Sequence, residues 1–252
     1  MTLPYCGAPP LPAELWDRWN LDPALLAFLV AGAALSAADG LRRPARARMQ
    51  IAASAAGWAL LAILLVSPLC ALSSALFSVR VGHHVALMAL VAPLFALVRP
   101  ARGAPGATGL AGAFLAHLAA VWLWHAPAFY GAALASDAVF WAMEASLLGT
   151  GWLLWRAILA PAAAPGPVLL ALLGTVVGTG FLGALITFAP RPLYAFHAGT
   201  TAPFGLSALE DQQLAGLVMW VGGALPYLAA ALVLAASRLS RPASRLRLQP
   251  TA

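Results

Sequence analysis

Long apolar runs separated by short polar stretches dominate the chain. Seven of these runs approach the roughly 20 residues that an α-helix needs to cross a bilayer. They cover residues 21–38, 51–69, 79–98, 110–124, 138–155, 168–188 and 212–236. The pattern predicts an all-α, polytopic transmembrane helical bundle of about seven helices. It divides the chain into an extracytoplasmic segment (1–20), the bundle (21–238) and a cytoplasmic basic tail (239–252).

The composition agrees with a lipid-facing protein. Hydrophobic residues make up 62% of the 252 residues and charged residues only 9%, against roughly 25% charged in a soluble domain. There are too few polar side chains to cover a water-facing surface of this size, so a soluble enzyme fold is excluded.

The arginines give the bundle a predicted orientation. All 14 basic residues are Arg. Seven crossings place eleven of them on one side, which the positive-inside rule identifies as cytoplasmic. These are Arg42, Arg43, Arg46, Arg48, Arg99, Arg102, Arg156, Arg238, Arg241, Arg245 and Arg247. Only Arg18, Arg80 and Arg191 fall on the other side. We therefore expect the N-terminus outside and the C-terminus inside, with no nucleic-acid partner despite the net charge of +6.

Two sequence features bear on helix packing. Pro93 and Pro226 lie inside predicted helices and should kink them. The pattern Gly174-x-x-x-Gly178, with Gly183 nearby, allows two helix backbones to approach closely. This pattern fits either packing within the bundle or a dimer contact.

Ionisable side chains inside the apolar runs are the main functional signal, because a bilayer makes them costly. The predicted orientation brings most of them to the outer half of the membrane. The whole set of ionisable residues is Arg80, His83, His84, His117, His125, Glu144 and Asp211, with His197 in the long outer loop.

The side chains near His84 suggest soft-metal chemistry. His84 and Met88 are four residues apart and share a helix face, and Met219 offers a second thioether from another helix. Imidazole with thioether suits Cu(I) better than hard cations. Cys6 and Cys70, the only two cysteines, fit a disulfide, a metal site or two unlinked thiols.

Structural roles are open for several of the same residues. His117 fits a hydrogen bond between helices, and Met88 and Met219 fit core packing. Glu144 fits an ion pair with Arg80. Asp211 fits a cap on the last helix, where a carboxylate meets the positive end of the helix dipole.

Several stretches resemble the CtaG-type cytochrome c oxidase assembly factors, a family of seven-helix bacterial membrane proteins. The most specific is LEDQQLAGLVMW at 209–220, which includes Asp211, Gln212 and Met219. Weaker matches are PYCG at 4–7, SPLC at 67–70, WHAP at 124–127 and the helix from Ser78 to Pro93. Three positions depart from the family pattern: Arg80 stands where His is frequent, His83 where Gln is frequent, and Ala145 where His often follows Glu144.

The resemblance implies a non-enzymatic role in assembling a haem-copper oxidase of the respiratory chain, with copper handled in the outer half of the bacterial plasma (inner) membrane. The implied partners are membrane lipids, oxidase subunits and other copper chaperones. The candidate metal ligands are His83, His84, His125, Met219, Met88, Cys6 and Cys70. The wider polar cluster contains Arg80, Glu144, Asp211, Gln212 and His197.

Two other functions fit the same residues. Histidines on two helices could ligate a haem in a membrane redox protein. A metal or small-solute transporter would need polar residues that continue into the inner half, where only His117 approaches.

Overall fold

A computed structural model describes residues 3–42, 48–98, 107–161 and 163–239. Within these ranges the secondary structure is helical, with no β-strand. The helices are α1 (Pro23–Arg42), α2 (Arg48–Val66), α3 (Pro68–Ala75), α4 (Phe77–Val98), α5 (Ala107–His125), α6 (Pro127–Ala135), α7 (Asp137–Ile158), α8 (Pro165–Thr187) and α9 (Ala208–Leu217, Val218–Gly222 and Gly223–Leu239). Short 3₁₀ turns cover Pro12–Asp17, Ala195–Gly199 and Ala202–Phe204. The prediction of an all-α fold is confirmed.

Helices α3, α6 and α8 each begin at a proline: Pro68, Pro127 and Pro165. Proline suits the first helical position because its fixed φ matches the helix and its missing N–H would have no partner there. The side chain of Ser67 also accepts from the Leu69 N–H and caps α3.

Among the described residues, five helices are long and apolar enough to cross a membrane: α1, α2, α4, α8 and α9. Helices α5 and α6 form a sixth candidate span together, although they meet at a bend of 74°. Helix α7 has 22 residues but carries Asp137, Glu144 and Arg156, and it is not among these candidates. The seventh crossing, and the side of the membrane on which each terminus lies, are therefore still predictions.

Both proline-containing helices widen into a π-helical turn instead of breaking. The turns are Leu87–Val91 in α4 and Val218–Gly222 in α9, which end two residues before Pro93 and four residues before Pro226. A proline clashes with the carbonyl four residues earlier and cannot donate to it. That carbonyl lies inside the π turn in both helices, which explains where the two turns form. Each helix continues past its proline as one candidate span.

The glycines of α8 pack within the bundle. A side chain added at Gly178 would lie 2.6 Å from Leu118 of α5, and one added at Gly183 would lie 2.8 Å from the carbonyl oxygen of Gly216 in α9. The prediction of packing within the bundle is confirmed, because these small residues set the close approach of α8 to α5 and α9.

The segments predicted to be extracytoplasmic meet at one end of the bundle, called here the disulfide end. Cys6 and Cys70 are joined by a disulfide, Tyr5 donates to Asp22 at 2.5 Å, and Tyr5 also stacks on Phe140 at the start of α7. The outer loop 188–207 belongs to the same end through contacts of His197, described below. Residues 240–252 of the basic tail and the predicted loop residues Arg43, Arg46, Arg99 and Arg102 lie outside the described residues.

Candidate functional site

The first turns of α4 carry the basic part of a buried polar cluster. Arg80 and His84 are fully buried, and His83 is 3% exposed. Asp211 of α9 fixes the start of α4, because its carboxylate accepts from the Phe77 N–H (2.6 Å) and the Ser78 N–H (3.2 Å). The prediction that Asp211 caps its own helix is therefore wrong. Ser207 and Glu210 form the capping box of α9 instead.

Among the described residues, Glu144 of α7 is the only one whose carboxylate contacts these basic groups directly. One oxygen accepts from His83 Nε2 at 3.0 Å. The other lies 3.6 Å from both Arg80 Nη1 and His84 Nε2. The predicted Arg80–Glu144 ion pair is thus present, and it shares its carboxylate with two imidazoles.

His125, the last residue of α5, completes the cluster. Its Nε2 lies 3.4 Å from Nδ1 of His84, and its Nδ1–H donates to the Val121 carbonyl at 2.7 Å. The second bond assigns the tautomer, so the Nε2 lone pair of His125 faces His84. Tyr194 of the outer loop donates to the His125 carbonyl at 2.7 Å and holds the end of α5 in place. No pattern in the sequence predicts this role of Tyr194.

The cluster leaves several polar atoms without a hydrogen-bond partner among the described groups. They are the three guanidinium nitrogens of Arg80, Nδ1 of His83, Nε2 of His84 and Oε1 of Glu144. Buried polar groups are nearly always hydrogen-bonded in folded proteins. So many atoms without a hydrogen bond in one buried cluster mark it as a candidate binding site.

The metal ligands predicted from sequence do not all come together. Cys6 and Cys70 are bonded to each other, so the metal-ligand alternative for this pair is wrong in this structure. Met88 and Met219 line a separate, deeper cavity together with His117. In the part of the chain that is described, no three His, Cys, Asp or Glu side chains are placed to hold a metal ion.

His197 and Gln212 hold the outer loop in place. His197 Nδ1–H donates to the Ala75 carbonyl (3.1 Å), and its Nε2 accepts from the Tyr130 hydroxyl (2.7 Å). Burial lowers the pKa of His197 to about 4, so the ring is neutral at physiological pH. The Gln212 amide accepts from the Leu193 N–H at 2.6 Å. These contacts give both residues a structural role.

A large apolar cleft of about 760 Å³ reaches the cluster from the side of α1 and α2. Trp58, Trp141 and Trp152 line it, and Glu144 and Ala145 form part of its wall. Ala145, where the family resemblance led us to expect His, therefore gives the cleft wall a methyl group beside Glu144.

Comparison with known proteins identifies the family. No curated protein and no solved structure matches the chain. Residues 26–241 match the family model described as cytochrome c oxidase caa3 assembly factor (Caa3_CtaG). Since the match covers most of the 252 residues, the chain belongs to the caa3-type cytochrome c oxidase assembly factor family.

Proposed function

We propose that this protein assists assembly of a haem-copper oxidase by binding Cu(I) briefly between His84 and His125 and passing it on. Family membership supports the assembly role. The observation that carries the copper step is the contact of two buried imidazoles, His84 Nδ1 and His125 Nε2, at 3.4 Å.

The two possible positions of the proton on the His84 ring support a metal cation between the two rings. With its proton on Nε2, His84 donates toward Glu144, but its Nδ1 lone pair then faces the lone pair of His125. With its proton on Nδ1, His84 donates to His125, but its Nε2 lone pair then faces the Glu144 carboxylate. No neutral form of His84 suits both neighbours, whereas a metal ion between the rings removes the conflict.

Distance and charge favour a weakly held monovalent ion. Two nitrogens of a tetrahedral site with metal–nitrogen bonds of about 2.05 Å lie about 3.3 Å apart, close to the observed separation. Arg80 balances the charge of Glu144, so the cluster offers no net negative charge to a divalent ion. The two rings leave the other tetrahedral positions open to ligands of an acceptor protein, so the site can release its metal readily, as delivery requires.

The disulfide end supports an extracytoplasmic position for this site. Disulfides form and persist in oxidising compartments and are rare in the cytosol. The Cys6–Cys70 bond lies at the same end of the bundle as the contacts of Tyr5, Phe140 and the outer loop. The proposed site would then deliver copper on the outer side of the plasma membrane, to oxidase subunits as partners and without catalysis by the chain itself.

The haem alternative has less support, because His84 and His125 contact each other directly and leave no space for a macrocycle between them. The transporter alternative has less support because a transporter needs polar groups that continue toward the inner side. Among the described residues near the cluster, the deepest ionisable group is His117.

Deletion and complementation test the proposal. A strain without this protein should make oxidase with reduced copper content and activity, and the wild-type gene should restore both. H84A/H125A should fail to restore them although it accumulates in the membrane. H197Q is the matched control, since it alters a buried imidazole at the same end but outside the cluster. Fully copper-loaded oxidase in the deletion strain would refute the proposed function.

A further inference from the structure

Met88 and Met219 occupy equivalent places in two different helices. Met88 is the second residue of the π turn in α4, and Met219 is the second residue of the π turn in α9. π-helical turns are rare and occur frequently at functional sites. Two of them, each caused by a proline, present a thioether to the same interior space. Both methionines are buried, with exposures of 5% and 2%.

That space is a small cavity enclosed by α4, α5, α8 and α9. Met88, Met219 and His117 line it, together with Thr179 and Tyr227. Its volume is about 20 Å³, enough for one water-sized species. The other lining residues are Val85, Ala89, Val121 and Gly223, so the wall contains no carboxylate.

One ring nitrogen of His117 makes a good hydrogen bond, and the other makes only a weak one. Its Nδ1 lies 3.2 Å from the Thr150 hydroxyl, which already donates its own proton to the Ser146 carbonyl. Thr150 therefore accepts from His117 Nδ1–H, and Nε2 carries the lone pair. The group at Nε2 is the Tyr227 hydroxyl at 3.3 Å, a long contact for an O–H donor. Metal-binding imidazoles are usually fixed in this way through their second nitrogen.

We propose that Met88, Met219 and His117 form a second, deeper site for Cu(I). Two thioethers and one imidazole are soft or borderline neutral ligands, a set that selects Cu(I) over Mg²⁺, Ca²⁺ or Mn²⁺. The absence of a carboxylate from the wall disfavours divalent ions, because no negative charge offsets theirs in the low-dielectric interior. The site rests on the proposed copper-handling function, which it extends inward from the outer cluster.

The two sites are linked along two helices. Met88 follows His84 by one turn of α4, about 6 Å along the axis. On α5, the Val121 carbonyl accepts the hydrogen bond from His125, and Val121 also lines the deeper cavity, one turn after His117 in the chain. An ion leaving the imidazole pair would meet the thioether site within about one helical turn. The outer pair then accepts copper, and the thioether site retains it.

Copper binding to the purified, detergent-solubilised protein tests this site. Cu(I) is titrated against a competing chelator, and X-ray absorption at the copper edge reports whether sulfur is bound. The wild-type protein should bind two Cu(I), with sulfur in the copper shell. M88L/M219L should lose one equivalent and all sulfur scattering. Leucine replaces methionine with little change in volume, so this variant should fold. M143L is the matched control, because Met143 is fully buried but does not line the cavity.

The outcomes separate this site from the proposed function. A wild-type spectrum without sulfur, or M88L/M219L with both equivalents and an unchanged spectrum, overturns the thioether site. H84A/H125A should lose the copper that is bound by nitrogen alone and keep the copper that is bound by sulfur and His117, which supports two distinct sites. Sulfur-bound copper in a protein whose deletion leaves the oxidase fully loaded would uphold the site and refute the assembly function.

Discussion

At the scale of single residues, Glu144 determines the electrostatics of the site. Its carboxylate contacts His83, His84 and Arg80 at distances from 3.0 to 3.6 Å, and every member of the set is nearly or fully buried. The sequence identified these residues because ionisable groups stand out in apolar runs. It could not show which nitrogen faces which oxygen, since that depends on helix rotation.

E144Q should destabilise the protein strongly, because it leaves the Arg80 guanidinium buried without a counter-charge. Breaking a buried ion pair from one side costs about 3–5 kcal/mol. R80M/E144Q, which removes both charges, should recover much of that loss. Thermal unfolding in detergent measures both variants. Equal stability of E144Q and wild type would show that solvent or another group compensates Arg80.

For Asp211, its position in the sequence predicted the wrong hydrogen-bond partners. An acidic residue in the first turn of a helix predicts a cap on that helix, but the carboxylate of Asp211 accepts from Phe77 and Ser78 of α4 instead. The partners are more than 130 positions apart, and no spacing rule connects them. This bond sets the start of the helix that carries Arg80 and His84.

D211A should lower stability by about 1–2 kcal/mol, the usual cost of losing a helix cap, and should loosen the first turn of α4. Hydrogen exchange at the Phe77 and Ser78 amides measures this directly and should become faster. E210Q is the control, because Glu210 caps only its own exposed helix start. Equal exchange at these two amides in D211A and E210Q would contradict the assigned role of Asp211.

At the scale of helices, the hydrophobic pattern located the helices well but did not predict their irregularities. Pro93 and Pro226 predicted kinks, and the structure has a π turn near each proline that the sequence did not predict. Hydrophobic spacing cannot distinguish a kink from an added residue, because packing on both sides of the proline decides between them. The rotation that turns Met88 and Met219 toward one cavity was therefore hidden from the sequence.

The contact of α8 with α9 depends on the absence of side chains at two glycines. A methyl group on Gly216 would lie 2.5 Å from the Gly183 carbonyl oxygen, so G216A should force the helices apart. Overpacking of this kind costs about 1–3 kcal/mol. G112A is the matched control, since nothing lies within 4 Å of a methyl group there, and it should be neutral or slightly stabilising. Thermal unfolding compares them; equal melting temperatures would contradict close backbone packing.

At the scale of the whole molecule, the route of α7 decides the topology. Its start lies at the disulfide end, where Phe140 stacks on Tyr5. Near its other end, Trp155 stacks on Tyr227 of α9, and its indole donates to the Met88 carbonyl of the π turn in α4. A helix of 22 residues is about 33 Å long, which matches the hydrocarbon core. Its charged residues lower its apolarity, but Glu144 is buried against Arg80 and the two histidines, away from lipid.

We therefore predict that α7 crosses the membrane and that the two ends of the chain lie on opposite sides. Six crossings would put the tail on the side of the disulfide, whereas seven put it in the cytoplasm, as the arginine distribution also indicates. A fluorescent protein fused after residue 252 should be bright, and alkaline phosphatase fused there should be inactive. Fusions within the loop 99–106 serve as the control, since both topologies place three crossings before it. An active phosphatase at the C-terminus, with the control fusion still cytoplasmic, would show six crossings and place α7 on the membrane surface.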